Sequence, residues 1–397
     1  MQIGLLGKTN VGKSTFFSAA TETTAQIGNY PFTTIEPNVG IAYVKTECAC
    51  KHFGINHTHS LCVGGTRFIP VKLIDVAGLV PGAHEGKGLG NKFLDDARQA
   101  EVLIHVVDAS GSTDIQGHSV PAGTHEPLED AKFVEEEFDQ WMKQILQREW
   151  QKLTREMESK GAKLVQGIAE RFSGLGIKAY DIEVLIQHLN LQMKKPADWT
   201  ENDLYTFVKE LRKKTRPMLI AANKADLCHD LNIVDKLKIH GQVIACSAET
   251  ELLLRKASKS GLIDYFPGEK SFKIKDGISL NPQQQKALDL ANKVIIKIGT
   301  TGVQQILNAA CFDLLKLITV YPVEDETKLS NKDGEVLPDA RLLFPGSTAK
   351  DLAQTVHADL AKGFLHAVDA KTKQRIGAQH QLKNGDVIKI VSTLSRG

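Results

Sequence analysis

The spacing of glycine, lysine and serine between residues 7 and 14 suits the binding of nucleotide phosphates. The run Gly-Lys-Thr-Asn-Val-Gly-Lys-Ser follows the apolar residues Ile3–Leu6 and precedes a predicted helix at Thr15–Ala20. In this context backbone N–H groups and a helix N-terminus surround phosphates, the lysine neutralises them, and the serine hydroxyl ligates Mg²⁺. The candidate nucleotide-binding residues here are Gly7, Thr9, Asn10, Val11, Gly12, Lys13, Ser14 and Thr15.

Two further segments hold residues suited to magnesium and the γ-phosphate. Asp75-Val-Ala-Gly78 comes directly after the apolar run Val71–Ile74. At this position the carboxylate can reach Mg²⁺ and the glycine N–H can meet the γ-phosphate. In the run Asn29–Glu36, Thr34 is favoured over Thr33 as a magnesium ligand that forms only when the γ-phosphate is present. The alternative is that these threonines only lead into a strand at Ile41–Val44.

The sequence Asn223-Lys224-Ala225-Asp226 closes the apolar run Met218–Ala222 and suits the recognition of guanine. Asp226 would accept hydrogen bonds from guanine N1–H and the 2-amino group. Asn223 would address the other edge of the purine and brace the loop. After the next apolar run, Ser247 and Ala248 complete the base site, with the Ala248 N–H directed at guanine O6. Adenine would leave Asp226 unsatisfied, so GTP is expected rather than ATP.

The segment that follows Asp75 predicts a switch with slow unaided hydrolysis. Residues 78–90 contain five glycines, which leave a chain mobile until a ligand orders it. Leu79 stands where many GTPases have the glutamine that orients the attacking water. His84 and Glu85 could position that water instead, or could simply be exposed loop residues. The candidate catalytic residues are Lys13, Thr34, Gly78 and His84.

Short apolar runs that end in these polar loops predict the elements that position them. They are typical of buried parallel strands with ligand-binding loops at their C-terminal ends, and Ile41–Val44 is expected to add an antiparallel edge strand. Residues 126–216 show apolar spacings of helices. The sequence therefore predicts an α/β fold: a P-loop NTPase (Ras-like) domain at 1–125 and 217–316, an inserted α-helical domain at 126–216, and a third domain at 317–397.

The third domain is predicted to be a small α+β module. Ile318–Tyr321 has the pattern of a strand, and the turn Asn384-Gly385 precedes another at Val387–Val391. Thr348 to Asp351 predicts a capping box opening one helix, with Leu352, Val356 and Leu360 on its buried face. The connecting segment Gly261–Leu315 is expected to be largely helical. Lys371, Lys373 and Arg375 are expected along one strand face, either meeting RNA phosphates or forming a solvated edge.

Composition limits the class of protein. The 397 residues are 42% hydrophobic and 24% charged, with a formal net charge of +2. This balance argues against nucleic-acid binding by bulk charge alone, although a local basic patch could still bind nucleic acid. There is no secretion signal pattern at the N-terminus and no run of about 18 apolar residues, so we expect a cytoplasmic chain without a membrane partner. Six cysteines are too few for a disulfide scaffold and are expected to be reduced.

The motifs together resemble the Obg superfamily of translation-factor-related GTPases, and in particular archaeal members of the YchF subfamily. The resemblance rests on Asn29–Thr34, Pro37–Gly40, Asp75–Ala83 and Gly88–Asp95, and extends over essentially the whole chain. It implies a helical insertion, a C-terminal ubiquitin-like (β-grasp) TGS domain, a hydrophobic residue in place of the catalytic glutamine, and association with ribosomes or rRNA. Bacterial and eukaryotic YchF proteins typically lose the guanine-recognising aspartate and prefer ATP, whereas this chain retains Asp226.

The resemblance also bears on a monovalent cation. In related GTPases an asparagine at the fourth position of the phosphate loop accompanies potassium binding and potassium-stimulated hydrolysis. Asn10 occupies that position. It is expected either to bind K⁺ or only to brace the loop.

A cluster of metal-ligand residue types lies between the edge strand and Val71. Cys48, Cys50, His52, His57, His59 and Cys62 fall within fifteen residues. These residue types can form a tetrahedral zinc site, but the spacing is not that of a standard zinc finger. The alternative is reduced thiols in a solvent-exposed hairpin.

Three functional hypotheses follow. The leading one is a GTPase switch, expected to act as a monomer, that cycles between GTP and GDP and is associated with ribosomes. The second is a GTP- or ATP-regulated binding module with little turnover. The third is a metal-handling protein driven by GTP, which depends on the cysteine cluster.

Overall fold

Seven strands form the main sheet. The computed structural model describes residues 1–22, 38–56, 61–76, 78, 82, 97–160 and 163–394. The strands are β1 (Gln2–Leu6), β2 (Val39–Glu47), β3 (Cys62–Val63), β4 (Thr66–Asp75), β5 (Val102–Asp108), β6 (Met218–Asn223) and β7 (Val243–Ala245). Their order is β2-β4-β1-β5-β6-β7, with β3 paired to β4. Strand β2 is antiparallel to β4 at the edge of the sheet, and β1, β4, β5, β6 and β7 pair in parallel, as predicted. Strand β3, which was not predicted, is also antiparallel to β4.

The register of the parallel strands brings their polar ends to one edge of the sheet. Leu5 of β1 is level with Asp75 of β4, and Asp108 of β5 is level with Asn223 of β6. Every residue of β5 is buried, which explains its nearly continuous apolar sequence. Helix α1 (Lys13–Thr21) follows β1, and the short helix α2 (Ala49–Phe53) follows β2.

Helices occupy the long segment between β5 and β6. They are α3 (Pro127–Gln147), α4 (Trp150–Lys160), α5 (Leu164–Arg171), α6 (Ala179–His188) and α7 (Glu201–Thr215), with 3₁₀ turns at Ser173–Leu175, Leu191–Met193 and Pro196–Asp198. Their shared core contains large aromatic residues, among them Phe138, Phe172 and Phe207. A buried ion pair joins α3 to α7, with Arg212 Nε 2.5 Å from Asp139 Oδ1.

The segment after β6 contains helices and one small sheet. The helices are α8 (Asn232–Leu237), α9 (Ala248–Lys259), α10 (Pro282–Ile298) and α11 (Val303–Asn308), with a 3₁₀ turn at Lys238–His240 and a π-helical turn at Ala309–Leu314. Strands β8 (Ile263–Asp264) and β9 (Lys273–Ile274) pair antiparallel. The prediction that Gly261–Leu315 is largely helical was therefore wrong for the part that precedes α10. Ile263 and Tyr265 are buried while Asp264 is exposed, a strand alternation that helical periodicity does not capture.

The C-terminal segment forms a five-stranded sheet with two short helices. Its strands are β10 (Ile318–Val323), β11 (Arg341–Leu343), β12 (Phe364–Asp369), β13 (Arg375–Ile376) and β14 (Val387–Ser392), in the order β11-β10-β14-β12-β13. Strands β10 and β14 pair in parallel at the centre, and the other pairs are antiparallel. This is the predicted α+β module.

Two local predictions in this module need correction. The capping box at Thr348 is present, but its helix α12 (Ala349–Val356) ends before Leu360, which lies on α13 (Ala358–Lys362). His357 between them is extended, with φ of −162°. Lys371 and Lys373 do not share a strand face with Arg375, because Asp369 accepts backbone and hydroxyl hydrogen bonds from the following residues and turns the chain. No helix in the described ranges is both long enough and apolar enough to cross a membrane.

Candidate nucleotide-binding site

The predicted phosphate loop connects β1 to α1 and packs against Asn223. Gly12 has φ of 95°, a conformation that favours glycine. A Cβ at Gly12 would lie 2.3 Å from Asn223 Nδ2, so a side chain could not fit. Val11 is fully buried beneath the loop. The loop is therefore packed closely against Asn223 and the core beneath it.

Lys13 is the first residue of α1 and is largely buried. Its Nζ donates a hydrogen bond to the Lys8 carbonyl oxygen at 2.6 Å. Burial lowers the pKa of Lys13 to about 8, and the nearby Asp75 carboxylate only partly opposes this shift. A buried ammonium with incomplete charge compensation favours an anionic ligand. Phosphate oxygens would supply the missing negative charge.

Ser14 and Asp75 form the predicted magnesium site. Ser14 Oγ donates to Asp75 Oδ2 at 2.9 Å. Asp75 Oδ1 is buried and has no hydrogen-bond partner in the described part of the chain. Burial raises the pKa of Asp75, while the Ser14 hydrogen bond and the Lys13 charge act in the opposite direction. Hydroxyl and carboxylate oxygens are hard ligands, and a bound cation would satisfy the orphaned oxygen, so these residues fit Mg²⁺.

Gly78 approaches the same centre. A Cβ on Gly78 would lie 2.9 Å from Thr9 Cγ2 and 3.3 Å from Lys13 Nζ. Glycine therefore allows the backbone to come close to the position where a γ-phosphate is expected. Thr34, Leu79, His84 and Glu85, on which the switch and hydrolysis predictions rest, lie outside the described residues.

Asn223 braces the two halves of the site. Its Nδ2 donates to the Val11 carbonyl at 3.0 Å, and its Oδ1 accepts from the Ala248 N–H at 3.0 Å. Both ends of the amide are thus used within the protein, as the bracing role requires. The contacts of Asn223 and of the Ala248 N–H with guanine stay predictions.

Asp226 lies in the same loop as Asn223, and its carboxylate is available to a ligand. It is half-buried, and within the described residues its side chain makes no hydrogen bond or ion pair.

Ser247 has a different role from the one expected of a ligand contact. It is fully buried, and its hydroxyl caps α9 by accepting from the Thr250 N–H at 3.4 Å. Ser247 therefore orients the loop, whereas Asp226 can meet a base.

A second polar cluster, which sequence reasoning missed, follows β5. Asp108 accepts hydrogen bonds from Ser112 Oγ and from Lys224 Nζ, each at 2.8 Å. Burial alone would raise the pKa of Asp108, but hydrogen bonds from Lys224, Ser110 and Thr113 bring it below its usual value. The signal was available, because Asp108 ends a buried strand and three hydroxyl residues follow it. This cluster positions Lys224 of the predicted guanine loop.

The same loop after β5 lies over the phosphate loop. Thr9 Oγ1 donates to the Gln116 carbonyl at 3.1 Å, and Asn10 Nδ2 donates to the Gly117 carbonyl at 2.8 Å. A Cβ at Gly117 would collide with Thr9, so the two loops are in close contact. Of the two roles expected for Asn10, the structure contains the bracing contact.

Helix α3 contacts the site through buried charge. Lys8 Nζ lies 2.7 Å from Asp130 Oδ2, and both side chains are at most 2% exposed. The Gly82 N–H donates to Glu137 Oε1 at 2.8 Å. The phosphate loop and the glycine-rich segment after Asp75 are therefore each tied to the helical segment.

Comparison with known proteins shows the family of this chain. Residues 2–151 match the 50S ribosome-binding GTPase family, residues 221–325 the G4-motif domain of YGR210-like Obg-like GTPases, and residues 332–392 the TGS domain. A GTP-binding protein of Methanocaldococcus jannaschii is 50% identical over 395 residues, covering 98% of both chains. The chain belongs to the YchF-type Obg GTPases.

Two further relatives match over nearly the full length of the chain. The crystal structure of a GTP-binding protein from Pyrococcus horikoshii superposes with a TM-score of 0.76 at 40% identity, covering 99% of this chain and 100% of that one. A ribosome-binding ATPase YchF of Buchnera aphidicola is 26% identical and covers 97% of both chains. The helical segment, the P-loop fold and the TGS domain therefore form one shared architecture.

The fold of this YchF-type chain also brings three of the clustered cysteines together. The sulfur atoms of Cys48, Cys50 and Cys62 all lie within 4.8 Å of one another. Cys48 and Cys50 are buried, so the alternative of solvent-exposed hairpin thiols was wrong for these two. None of the six cysteines, all of which lie in the described ranges, forms a disulfide. His57 and His59 lie outside the described residues.

Proposed function

We propose that this protein binds GTP with Mg²⁺ and hydrolyses it to GDP and phosphate as a molecular switch. The carboxylate of Asp226, which has no partner among the described residues and lies in the loop that Asn223 holds against the phosphate loop, carries the choice of guanine. Adenine has no N1–H or 2-amino donor and would leave that carboxylate unsatisfied. The Buchnera relative is named an ATPase, so the base preference of this chain needs its own measurement.

Nucleotide affinity before and after Asp226→Ala tests the base assignment. Hydrogen bonds to a charged group contribute roughly 1.5–3 kcal/mol, so we expect GTP affinity to fall by about a hundredfold, with ATP affinity unchanged. Asp230→Ala is the matched control, because Asp230 is an exposed aspartate four residues further along the chain. Equal affinities for GTP and ATP in the unmodified protein would overturn the assignment.

The chemistry of hydrolysis follows from the residues around the phosphates. When bound, Mg²⁺ would neutralise charge that develops on the β and γ phosphates, held by Ser14 and Asp75 and, with GTP present, by Thr34. Lys13 would add a positive charge, and the Gly78 N–H would donate to the γ-phosphate. With Leu79 in place of a glutamine, turnover without a partner is expected to be slow, and His84 is the candidate to position water.

Single-turnover hydrolysis tests the enzyme hypothesis. We expect a slow rate that rises with ribosomes and rises in potassium relative to sodium, with Asn10 as the candidate K⁺ ligand. Asn10→Ala should remove the potassium dependence and leave the stimulation by ribosomes in place. A rate at background under every condition would favour a nucleotide-regulated binding module instead.

Coupling of nucleotide state to a ribosomal partner is supported by the contacts of α3. The ion pair of Lys8 with Asp130 and the hydrogen bond from Gly82 to Glu137 join phosphate-sensing segments to the helical insertion. Such contacts can carry a local change at the γ-phosphate to a distant surface. The ribosome is proposed as partner because the matched family and the Buchnera relative are both named for ribosome binding. Sedimentation with ribosomes in GTP against GDP tests this, and equal binding in the two states would contradict it.

The domain limits and the cellular setting complete the proposal. The GTPase domain would comprise 1–125 and 217–316, the helical insertion 126–216 and the TGS domain 317–397. The protein would act as a cytoplasmic monomer, which gel filtration with light scattering can check. A stable dimer would contradict that part of the proposal.

A further inference from the structure

The three clustered cysteines come from two segments that the fold brings together. Cys48 precedes α2, Cys50 lies in its first turn, and Cys62 belongs to β3. The Cys48 N–H donates to the Gly65 carbonyl at 2.9 Å, which joins the two segments next to the sulfur atoms. The Ile55 N–H donates to the Cys50 carbonyl at 3.0 Å and closes the turn after α2. The backbone therefore positions these thiols without a disulfide.

The distances between the sulfurs suit one metal ion. Cys50 Sγ and Cys62 Sγ are 3.9 Å apart, and no sulfur pair in the cluster exceeds 4.8 Å. Tetrahedral zinc with Zn–S bonds of about 2.3 Å places its sulfur ligands about 3.8 Å apart. A small contraction would bring all three to that spacing. An iron–sulfur cluster requires its cysteines to reach different iron atoms and suits this compact triangle less well.

The cysteine cluster is packed against apolar side chains on one side and is open to solvent on the other. Cys48 and Cys50 share an apolar cluster with Tyr321 and Val387 of the TGS domain. On the other side, Cys50 and Cys62 line an open depression of about 520 Å³. Soft thiolate ligands in a partly dry setting favour zinc over magnesium or calcium. The depression gives an ion a route to the sulfurs.

The cluster also lies where the β2–β4 hairpin meets the TGS domain. Tyr321 Oη donates to the Glu47 carbonyl at 3.3 Å, next to Cys48 in sequence. Arg67, level with Cys62 in the β3–β4 pair, donates to the Pro338 carbonyl at 2.9 Å. Anything that stiffens the cysteine-bearing tip of the hairpin would therefore also stiffen its contact with the TGS domain.

We propose that Cys48, Cys50 and Cys62 bind a single zinc ion that locks the hairpin tip against the TGS domain. Each thiol releases its proton to solvent on binding, and the fourth coordination position is open to water or another ligand. This site is separate from the nucleotide site and needs no nucleotide. Its function is structural: it sets the orientation of the TGS domain relative to the GTPase domain.

Metal analysis of the full-length chain, purified without a histidine tag, tests the proposal. We expect about one zinc ion per chain in the unmodified protein, and a loss of most of it in Cys62→Ser. Cys228→Ser is the matched control, because Cys228 lies in a different apolar cluster, and it should retain the zinc. Zinc far below one equivalent in the unmodified protein, or equal zinc in Cys62→Ser, would overturn the proposal.

Cobalt substitution provides a readout that does not depend on a variant folding. After removal of zinc, Co²⁺ should give the visible bands of tetrahedral coordination and a thiolate-to-cobalt charge-transfer band. A cobalt spectrum without that charge-transfer band overturns the proposal. Recovery of a Cys50–Cys62 disulfide from freshly isolated protein, by thiol counting and mass spectrometry, also overturns it.

Discussion

Binding of GTP should be coupled to the uptake of a proton by Lys13. Burial lowers the pKa of Lys13 to about 8. Phosphates beside the ammonium must raise that pKa, because an opposite charge favours the protonated form. Well below pH 8 both states therefore hold the proton, whereas above pH 8 the free protein increasingly loses it and the complex keeps it. Affinity for GTP should accordingly fall as the pH rises through this range.

The size of the effect follows from the pKa. A group with a pKa of about 8 that becomes fully protonated in the complex takes up about 0.1 proton at pH 7, about 0.5 at pH 8 and about 0.8 at pH 8.5. Over the same range the affinity should fall by about fourfold. The pH series stops at about 8.5, because guanine begins to lose its own N1 proton at higher pH.

Titration calorimetry in pairs of buffers with different ionisation enthalpies measures this proton uptake directly. Lys13→Arg is the matched control, because a guanidinium remains charged throughout this range. Its proton uptake should stay at a small background and its affinity should vary little with pH. Uptake that does not grow between pH 7 and 8.5, or that persists unchanged in Lys13→Arg, would refute the assignment of the proton to Lys13.

Two other perturbations test the contacts that hold the site and the helical insertion. Asn223→Ala removes two buried hydrogen bonds, to Val11 and Ala248, and should weaken GTP binding by roughly 1–3 kcal/mol in a fluorescent-nucleotide titration; unchanged affinity would show that the brace is dispensable. Arg212→Met leaves Asp139 buried without its partner and should destabilise the helical insertion by about 3 kcal/mol in thermal unfolding. Adding Asp139→Leu should recover part of that stability, and a double variant as unstable as the single one would contradict this explanation.

Much of the fold was predictable because its signals are local. The apolar runs of β1, β5 and β6 are buried on both faces, so they are visible without knowledge of their neighbours. The capping box at Thr348 depends on residues three apart and was predicted correctly. The hairpin of β8 and β9 was missed because each strand has only two residues, too few to show a period. Likewise, nothing in the spacing of Leu352, Val356 and Leu360 revealed the break at His357.

The sequence by itself determined which residues could bind a nucleotide, because each motif lies within one loop after one strand. It could not determine how those loops support one another. Asn223 reaches Val11, Lys224 reaches Asp108, and Lys8 reaches Asp130 only because strand register and the packing of α3 bring distant segments together. The same holds for the cysteines, which the sequence identified as ligand types and the β3–β4 turn brought within range of one ion. Local chemistry is set by residue type and spacing, whereas contacts across the chain are decided by which surfaces pack.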